Sequence, residues 1–222
     1  MKLYGAIDLH SNNSVIVIID EKDKIVFHKK CPNELEKIRM ELRPYKSTLT
    51  GIAVESTFNW YWLVDGLMEA GYQVHLVNTC AVKQYEGLKY TDDKDDARWL
   101  AHLLRLGILP EGYIYPKETR VIRDLLRKRG QMVRQRTAQI LSIENLFSRN
   151  IGERLSGRAV KKLADDDITQ RLCIPEQALA VRSNVRVMRC LDEQIKELEK
   201  AVWQRVRTHD GLRYILSVSG IG

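Results

Sequence analysis

The first half of the chain alternates short apolar runs with helical patterns. Leu3–Leu9 and Ser14–Asp20 are β-rich runs separated by Ser11-Asn12-Asn13, a turn composition, so they predict a β-hairpin. Lys24–Lys29 continues as a third strand. The pattern that follows predicts helices and strands in alternation: a helix over 32–42, a strand over 48–55, a helix over 60–70, a strand over 72–77, and helices over 79–87 and 93–106.

The second half of the chain carries helical patterns alone. Glu118–Arg149 has a broken apolar stripe, and Ala180–Arg207 has apolar residues at alternating spacings of four and three. This second stripe predicts either a helical hairpin within the chain or a coiled coil with another chain, and the two can coexist. Its residues are Val181, Val185, Met188, Leu191, Ile195, Leu198 and Val202.

The order of the elements predicts the fold class. Three antiparallel strands followed by α-β-α-β-α is the order of the RNase H-like fold, a mixed sheet with flanking helices. In that fold the first strand lies beside the strand that ends at Glu55. The segment Gly107–Pro116, with two prolines and two glycines, predicts a boundary between an α/β domain over 1–116 and an all-α coiled-coil segment over 117–210.

Four acidic residues are the strongest chemical signal. Asp8 and Glu55 each end an apolar run, and Asp93 and Asp96 lie three apart at the start of a helical pattern. Clustered carboxylates repel one another unless a cation binds between them, and hard oxygen ligands suit Mg²⁺ or Mn²⁺. Two ions about 4 Å apart are the usual machinery for displacement at a phosphodiester. The sequence therefore predicts a two-metal site at these four residues.

Several of these acids have other interpretations. Asp8 could form a turn before Ser11, and Asp92 or Asp93 could simply cap the helix. Asp92 and Asp95 share the three-residue spacing and are the alternative ligands. His10 could touch the substrate, although a polar turn residue is the favoured interpretation. The aromatic residues Phe58, Trp60, Tyr61 and Trp62 could stack on bases, although core beneath a helix start is favoured.

Charge is divided unevenly along the chain, whose formal net charge is +7. Residues 1–116 hold 14 Lys/Arg against 16 Asp/Glu, whereas residues 117–222 hold 22 against 13. This asymmetry predicts a metal site joined to an element that binds a polyanion. The predicted phosphate contacts are Lys94, Arg98, Arg123, Arg127, Lys128, Arg129, Arg134 and Arg136. The polar side of a coiled coil is the alternative interpretation of the basic segment on 117–136.

The cysteine spacing and the hydropathy of the chain indicate in which cellular compartment the protein is expected. Cys31, Cys80, Cys173 and Cys190 lie far apart without zinc spacing, which is typical of reduced thiols. No apolar stretch approaches the roughly 20 residues of a membrane span, and no signal peptide is evident. We therefore expect a cytoplasmic protein.

The motifs resemble the DEDD transposases of bacterial insertion sequences. The resemblance rests on Ala6-Ile7-Asp8-Leu9-His10, Val54-Glu55-Ser56-Thr57 and Tyr90-Thr91-Asp92-Asp93-Lys94-Asp95-Asp96-Ala97-Arg98, followed by Leu125–Arg129, Arg136-Thr137 and Asn145. The final residues, 211–222, look like the start of that family's C-terminal transposase domain.

The resemblance implies a RuvC-like front domain, a coiled-coil segment and a C-terminal domain whose serine attacks DNA. It also implies a structured guide RNA, DNA as the substrate, self-association through the C-terminal helices and a place near the bacterial nucleoid. The chain ends at Gly222, before the position of that serine, so we expect it to be inactive in strand transfer by itself.

Other functions remain open at this stage. One is an autonomous RuvC-like nuclease of Holliday junctions, and another is a non-catalytic oligomerising remnant of a transposase. An actin-like sugar kinase or ATPase is disfavoured, because Leu9-His10 stands where those proteins need glycine after the strand-ending aspartate.

Overall fold

The structure is a computed structural model that describes residues 1–88 and 96–219. Two compact units make up the chain, Met1–Ile114 and Tyr115–Gly222. The predicted domain limits at residues 116 and 210 stay predictions.

The first unit is built on one mixed five-stranded sheet with the order β3-β2-β1-β4-β5. The antiparallel part joins β1 to β2 and β2 to β3, while β4 runs parallel to β1 and β5 runs parallel to β4. The strands are β1 (Leu3–Leu9), β2 (Asn13–Asp20), β3 (Ile25–Pro32), β4 (Leu49–Glu55) and β5 (Val74–Val77). The arrangement is the RNase H-like α/β fold that the sequence predicts.

Helices cover both faces of this sheet. They are α1 (Leu35–Leu42), α2 (Tyr61–Glu69), α3 (Thr79–Val82) and α4 (Asp96–Leu106), with 3₁₀ turns at Arg43–Tyr45 and Lys83–Leu88. Side chains alternate across a strand, so Leu3, Ile7 and Leu9 of β1 pack in one core with α1 and α2. Ala6 points to the other face, where it packs in a second core with Ala97 and Ala101 of α4.

The element boundaries differ from the predictions at a few places. Tyr72 does not start a strand, because its N–H closes α2 by donating to Leu67 O at 3.0 Å after Gly71 takes a positive φ of 80°. Strand β3 extends past the predicted Lys29, because pairing with β2 brings Cys31 opposite Ser14. The helix predicted over 79–87 is a short α-helix continued as a 3₁₀ helix, a common form at helix ends.

The second unit is a long helical hairpin closed by short helices. Its elements are α5 (Lys117–Ile151), α6 (Gly157–Lys162), α7 (Asp165–Arg171), α8 (Pro175–Val206) and α9 (Asp210–Ser217). Pairs such as Arg129 with Glu199 and Asn184 with Ser142 show that α5 and α8 run antiparallel.

The apolar seam predicted on α8 is used within the chain. Val181, Val185 and Met188 are buried in one core with Ile143 and Phe147 of α5. The hairpin alternative is therefore the one observed, and self-association stays a prediction.

Candidate functional site

Strands β1 and β4 bring Asp8 and Glu55 together. The two strands are parallel neighbours whose register pairs Ala6 with Ala53 and Ile7 with Val54, so the next residues along are Asp8 and Glu55. Both acids follow the alternation of Ala6 and Ala53, whose side chains pack in the core beneath α4. The two carboxylates therefore lie at one sheet edge and on one face.

Asp8 is a buried carboxylate with polar partners. Only 6% of the residue is exposed, and its Oδ2 lies 3.3 Å from Nε2 of His10, which is itself half exposed. Its other partner is Glu55, to which it is joined by a side-chain hydrogen bond. Burial of an ionised group without partners is costly, so these contacts explain how the fold tolerates Asp8.

The environment raises the pKa of Glu55 to about 7. Burial of the carboxyl is the largest cause, followed by its hydrogen bond with Asp8 and by the negative charges of Asp8 and Asp96. Two carboxylates can share a hydrogen bond only if one of them carries a proton. With its pKa raised to about 7, Glu55 keeps its proton at mildly acidic pH and is about half protonated at pH 7, and this proton allows the hydrogen bond with Asp8.

Asp96 is the first residue of α4 and is exposed. The next residue, Ala97, is fully buried against the sheet, which places the first turn of the helix over the same face. The charge of Asp96 contributes to the raised pKa of Glu55, so three of the four predicted acids are close enough to interact electrostatically. Asp93 and Lys94 lie outside the described residues, as do the alternatives Asp92 and Asp95.

The donor set suits a hard divalent cation, but the described side chains do not form a closed metal cage. Within 1–88 and 96–219, no group of three or more His, Cys, Asp or Glu residues is arranged to hold a metal ion. The oxygens that are present match Mg²⁺ or Mn²⁺ in kind. The negative charges of Asp8 and Asp96 help to raise the pKa of Glu55, and a bound cation would offset this repulsion.

Two asparagines that sequence reasoning missed hold the loop after β1. Asn33 Nδ2 donates to the carbonyl oxygens of His10 at 2.9 Å and Ser11 at 3.2 Å, and Asn33 accepts from the buried Ser14 at 2.6 Å. Asn59 Nδ2 donates to the same His10 carbonyl at 3.3 Å. Asparagine is ordinary in turns, so nothing in its spacing could have indicated this role.

An acidic turn residue that sequence reasoning also missed contacts the flank of α4. Oδ1 of Asp23, in the β2–β3 turn, lies 2.8 Å from His102 Nδ1 and 3.4 Å from Arg105 Nε. Arg98, predicted to contact a scissile phosphate, has Nη2 at 3.9 Å from Asp23 Oδ2 and is half exposed. Arg98 therefore lies near a carboxylate of the protein itself, Asp23, and a phosphate would compete with that carboxylate for its guanidinium.

The aromatic cluster after Glu55 divides into core and surface. Trp60 is buried, and Tyr61 and Trp62 pack against the same core, as the favoured interpretation has it. Phe58 differs, because 83% of it is exposed.

Five of the six predicted basic residues of α5 divide into two groups. Arg129 and Arg136 face α8, where Arg129 lies 2.7 Å from Glu199 and Arg136 pairs with Asp192. The other group lines a surface groove of about 620 Å³, which we call the α5 groove; it is formed by Tyr115, Thr119, Ile122, Arg123, Leu126, Arg127, Gly130 and Arg134. Arg123 also lies over the ring of Tyr115, with its Cζ 5.0 Å from the ring centroid.

Lys128 belongs to neither group. Its Nζ donates to Gln131 Oε1 at 3.2 Å. Arg120, which the basic run also contains, is buried, and its Nε donates to the Tyr115 carbonyl at 2.6 Å. The groove arginines are thus Arg123, Arg127 and Arg134.

Comparison with known proteins adds one family match. Residues 6–149, well over half of the chain, match the model DEDD_Tnp_IS110, described as a transposase. A search of curated proteins finds no match. In the described part of the chain, no helix is both long and apolar enough to cross a membrane.

Proposed function

Because the chain belongs to the family of IS110-type DEDD transposases, we propose that Asp8, Glu55, Asp93 and Asp96 are its metal-binding carboxylates. The function of the family is transposition of an insertion sequence, a DNA recombination reaction. In this proposal the acids bind Mg²⁺ or Mn²⁺, as two ions, at the edge of the sheet where β1 and β4 end.

The observation that supports the proposal most directly is the placement of Asp8 and Glu55 side by side at the ends of β1 and β4, with Asp96 near enough to help raise the pKa of Glu55. The placement of Glu55 beside Asp8 and near Asp96 lowers the free energy of unfolding of the metal-free protein, since like charges repel in a partly buried site. A divalent cation removes this repulsion by neutralising the clustered carboxylates. When bound, such ions lower the pKa of the attacking hydroxyl and stabilise the leaving oxygen of a phosphodiester.

The residues of the chain itself would provide binding and orientation. Asp8 is fixed by His10 and Glu55, and the loop that carries His10 is held by Asn33 and Asn59. The backbone that follows Asp8 is therefore held in place by the protein itself. The resemblance assigns the nucleophile to a serine of the C-terminal domain, and we propose no described residue for that role.

The α5 groove is the proposed contact with nucleic acid. Arg123, Arg127 and Arg134 line it and can neutralise phosphates, whereas Arg129 and Arg136 pair with acids of α8. We propose DNA as the substrate, a structured guide RNA as the partner that selects sequence, and the bacterial nucleoid as the place of action.

Metal-dependent thermal unfolding tests the site. Mn²⁺ or Mg²⁺ should raise the Tm of the chain, since a ligand that binds only the folded state stabilises it. Asp8→Asn should remove most of this rise while leaving the metal-free Tm equal or higher, because one repelling charge is lost. Glu36→Gln, which changes an exposed acid on α1, is the matched control and should behave as wild type.

A wild-type chain whose Tm does not respond to either ion would contradict the metal site. A large fall in the metal-free Tm of Asp8→Asn would show that Asp8 is structural. Cleavage of a four-way DNA junction by this chain with Mg²⁺ would instead favour the nuclease alternative.

A further inference from the structure

Phe58 is exposed in a way that the fold does not explain. At 83% exposure it is the most exposed large hydrophobic residue in the described part of the chain. Its neighbour Trp60 is 5% exposed and belongs to the core of the first unit. A phenyl ring left in water forgoes the stabilisation that burial gives, so the folded structure gains little from it.

The loop that presents Phe58 is held at several points. Thr57 N–H donates to Glu55 O at 2.9 Å, and Thr57 Oγ1 donates to Asn59 Oδ1 at 2.8 Å. Asn59 in turn donates to the carbonyl of His10 at 3.3 Å. The tip of this loop is thus tied both to the end of β4 and to the loop that follows Asp8, and Phe58 lies three residues beyond Glu55.

Charge at this place favours an uncharged contact. Asp8 and Asp96 both act on the charge of Glu55, and acids repel the phosphates of a nucleic acid. Affinity next to them must come from a bound cation or from contacts that do not depend on charge. Stacking of a base on an aromatic ring is such a contact, and it tolerates any sequence because every base has a π-face.

We propose that Phe58 stacks on an unpaired nucleobase of the DNA strand whose phosphodiester lies at the Asp8–Glu55 site. This inference rests on the proposed function, because it takes DNA as the substrate of that site. A base that is paired and stacked inside a duplex does not offer its face, so the contact requires a single strand or an extruded base. A ring fixed on a tied loop loses little freedom when it binds, which favours this use.

The experiment compares the 222-residue chain and its variants on two probes. One probe is a fluorescein-labelled single-stranded oligonucleotide that contains 2-aminopurine, whose fluorescence falls when it stacks, and the other is the same sequence as a full duplex. Phe58→Ala should weaken single-strand binding by about five-fold or more and reduce the quenching of 2-aminopurine. Its duplex affinity and its Tm should stay at the wild-type values, because the ring is exposed.

Two further variants make the result specific. Phe58→Trp should restore both affinity and quenching, since indole also stacks on bases. Met40→Ala removes another exposed apolar side chain, 63% exposed on α1, whose buried residues pack on the opposite face of the sheet, and it should change neither readout.

Equal loss of affinity for both probes in Phe58→Ala would show a contact with the sugar-phosphate backbone and overturn the stacking proposal. An unchanged affinity and quenching would overturn it as well, and an altered sedimentation coefficient in that case would assign Phe58 to a protein contact. A wild-type chain that binds neither probe would contradict both the DNA site and the stacking, whereas the other outcomes contradict the stacking alone.

Discussion

His102 Nδ1 of α4 donates a hydrogen bond to Oδ1 of Asp23 in the β2–β3 turn, at 2.8 Å. The same oxygen lies 3.4 Å from Arg105 Nε, so one carboxylate contacts two positions on a single flank of the helix. The sheet-facing side of α4 packs through the apolar residues Ala97, Leu100 and Ala101, and apolar packing is less directional than a hydrogen bond. The polar contact with Asp23 therefore helps to set where α4, and with it Asp96, lies along the sheet.

Substitutions of Asp23 should separate two contributions to stability, the hydrogen bond of its side chain to His102 and the strain of its left-handed backbone conformation. Its φ is 66°, a left-handed conformation that costs a non-glycine residue about 1–2 kcal/mol. Asp23→Ala keeps this cost and removes the acceptor of His102, so its free energy of unfolding should fall by about 1–2 kcal/mol. Asp23→Gly should lose less, because glycine has no such cost, and Asp23→Asn should lose least.

Urea unfolding of the three variants checks this order. Lys22→Ala is the control, since Lys22 is exposed in the same turn and the substitution keeps its backbone N–H, which donates to Asp20. Equal stability of Asp23→Ala and wild type would show that the contact with His102 contributes nothing.

The raised pKa of Glu55 predicts a specific dependence of stability on pH. The pKa is about 7 in the folded protein against 4.5 for a glutamate that is fully exposed to water. Between these values the folded state keeps a proton that the unfolded state has released, so metal-free stability should fall as pH rises from about 4.5 to about 7. Glu55→Gln lacks this titration. It should therefore gain stability relative to wild type across that range, by about 1–2 kcal/mol after allowance for solvent screening.

Thermal unfolding in a chelator, at about pH 5 and about pH 8, measures this difference. Addition of Mn²⁺ at the higher pH should reverse the ranking, because the ion needs the deprotonated carboxylate. Parallel pH profiles for wild type and Glu55→Gln would contradict the cluster of Asp8, Glu55 and Asp96.

The α5 groove predicts which arginines control nucleic-acid affinity. Arg127→Gln with Arg134→Gln should weaken binding to DNA of any sequence. It should also flatten the log–log salt dependence by about 0.9 for each arginine that contacts a phosphate of duplex DNA. Arg158→Gln with Lys161→Gln removes the same charge from α6 and is the matched control. Similar losses in both double variants would mean that total charge, and not the groove, determines binding.

Self-association should depend on a face of the second unit that the hairpin leaves open. Val181, Val185 and Met188 are buried within the chain, so they are not available to another copy. A second groove of about 490 Å³ lies along α5, and its Leu141 is 53% exposed. We expect a concentration-dependent dimer in sedimentation, weakened by Leu141→Glu without loss of helix content.

Met40→Glu places a charge at another exposed apolar position, in the first unit, and should leave the dimer intact. If the wild-type chain were also a strict monomer at high concentration, the apolar stripe of α8 would serve only to pack against α5 within the hairpin.

Much of the fold was predictable because its signals are local. The strand ends at Leu9, Asp20 and Glu55 agree with the structure, since each closes an apolar run that polar or turn residues follow in the sequence. The end of α4 is equally local: Gly107, at a φ of 70°, closes the helix where the glycine predicts it. Strand β3 ran longer than predicted because its last residues are specified by pairing with β2, not by their own propensity.

The site was predictable only in part, because its partners come from distant segments. Asp8 and Glu55 stood out as acids that end apolar runs, whereas Asn33, Asn59 and Asp23 look like ordinary turn residues in the sequence. Their hydrogen bonds to the His10 carbonyl and to His102 join positions 23 to 79 residues apart. No periodicity connects such positions, so only the folded chain reveals them.

The sequence by itself therefore determined the order of elements, the acids at the strand ends and the basic character of α5, since each depends on neighbours along the chain. The tertiary structure decided which of the predicted arginines line the groove and which pair with α8, and which aromatic residue after Glu55 stays in water. It also decided that the α8 stripe packs on α5. The physical reason is the same in each case: burial and ion pairing depend on what lies opposite a side chain in space.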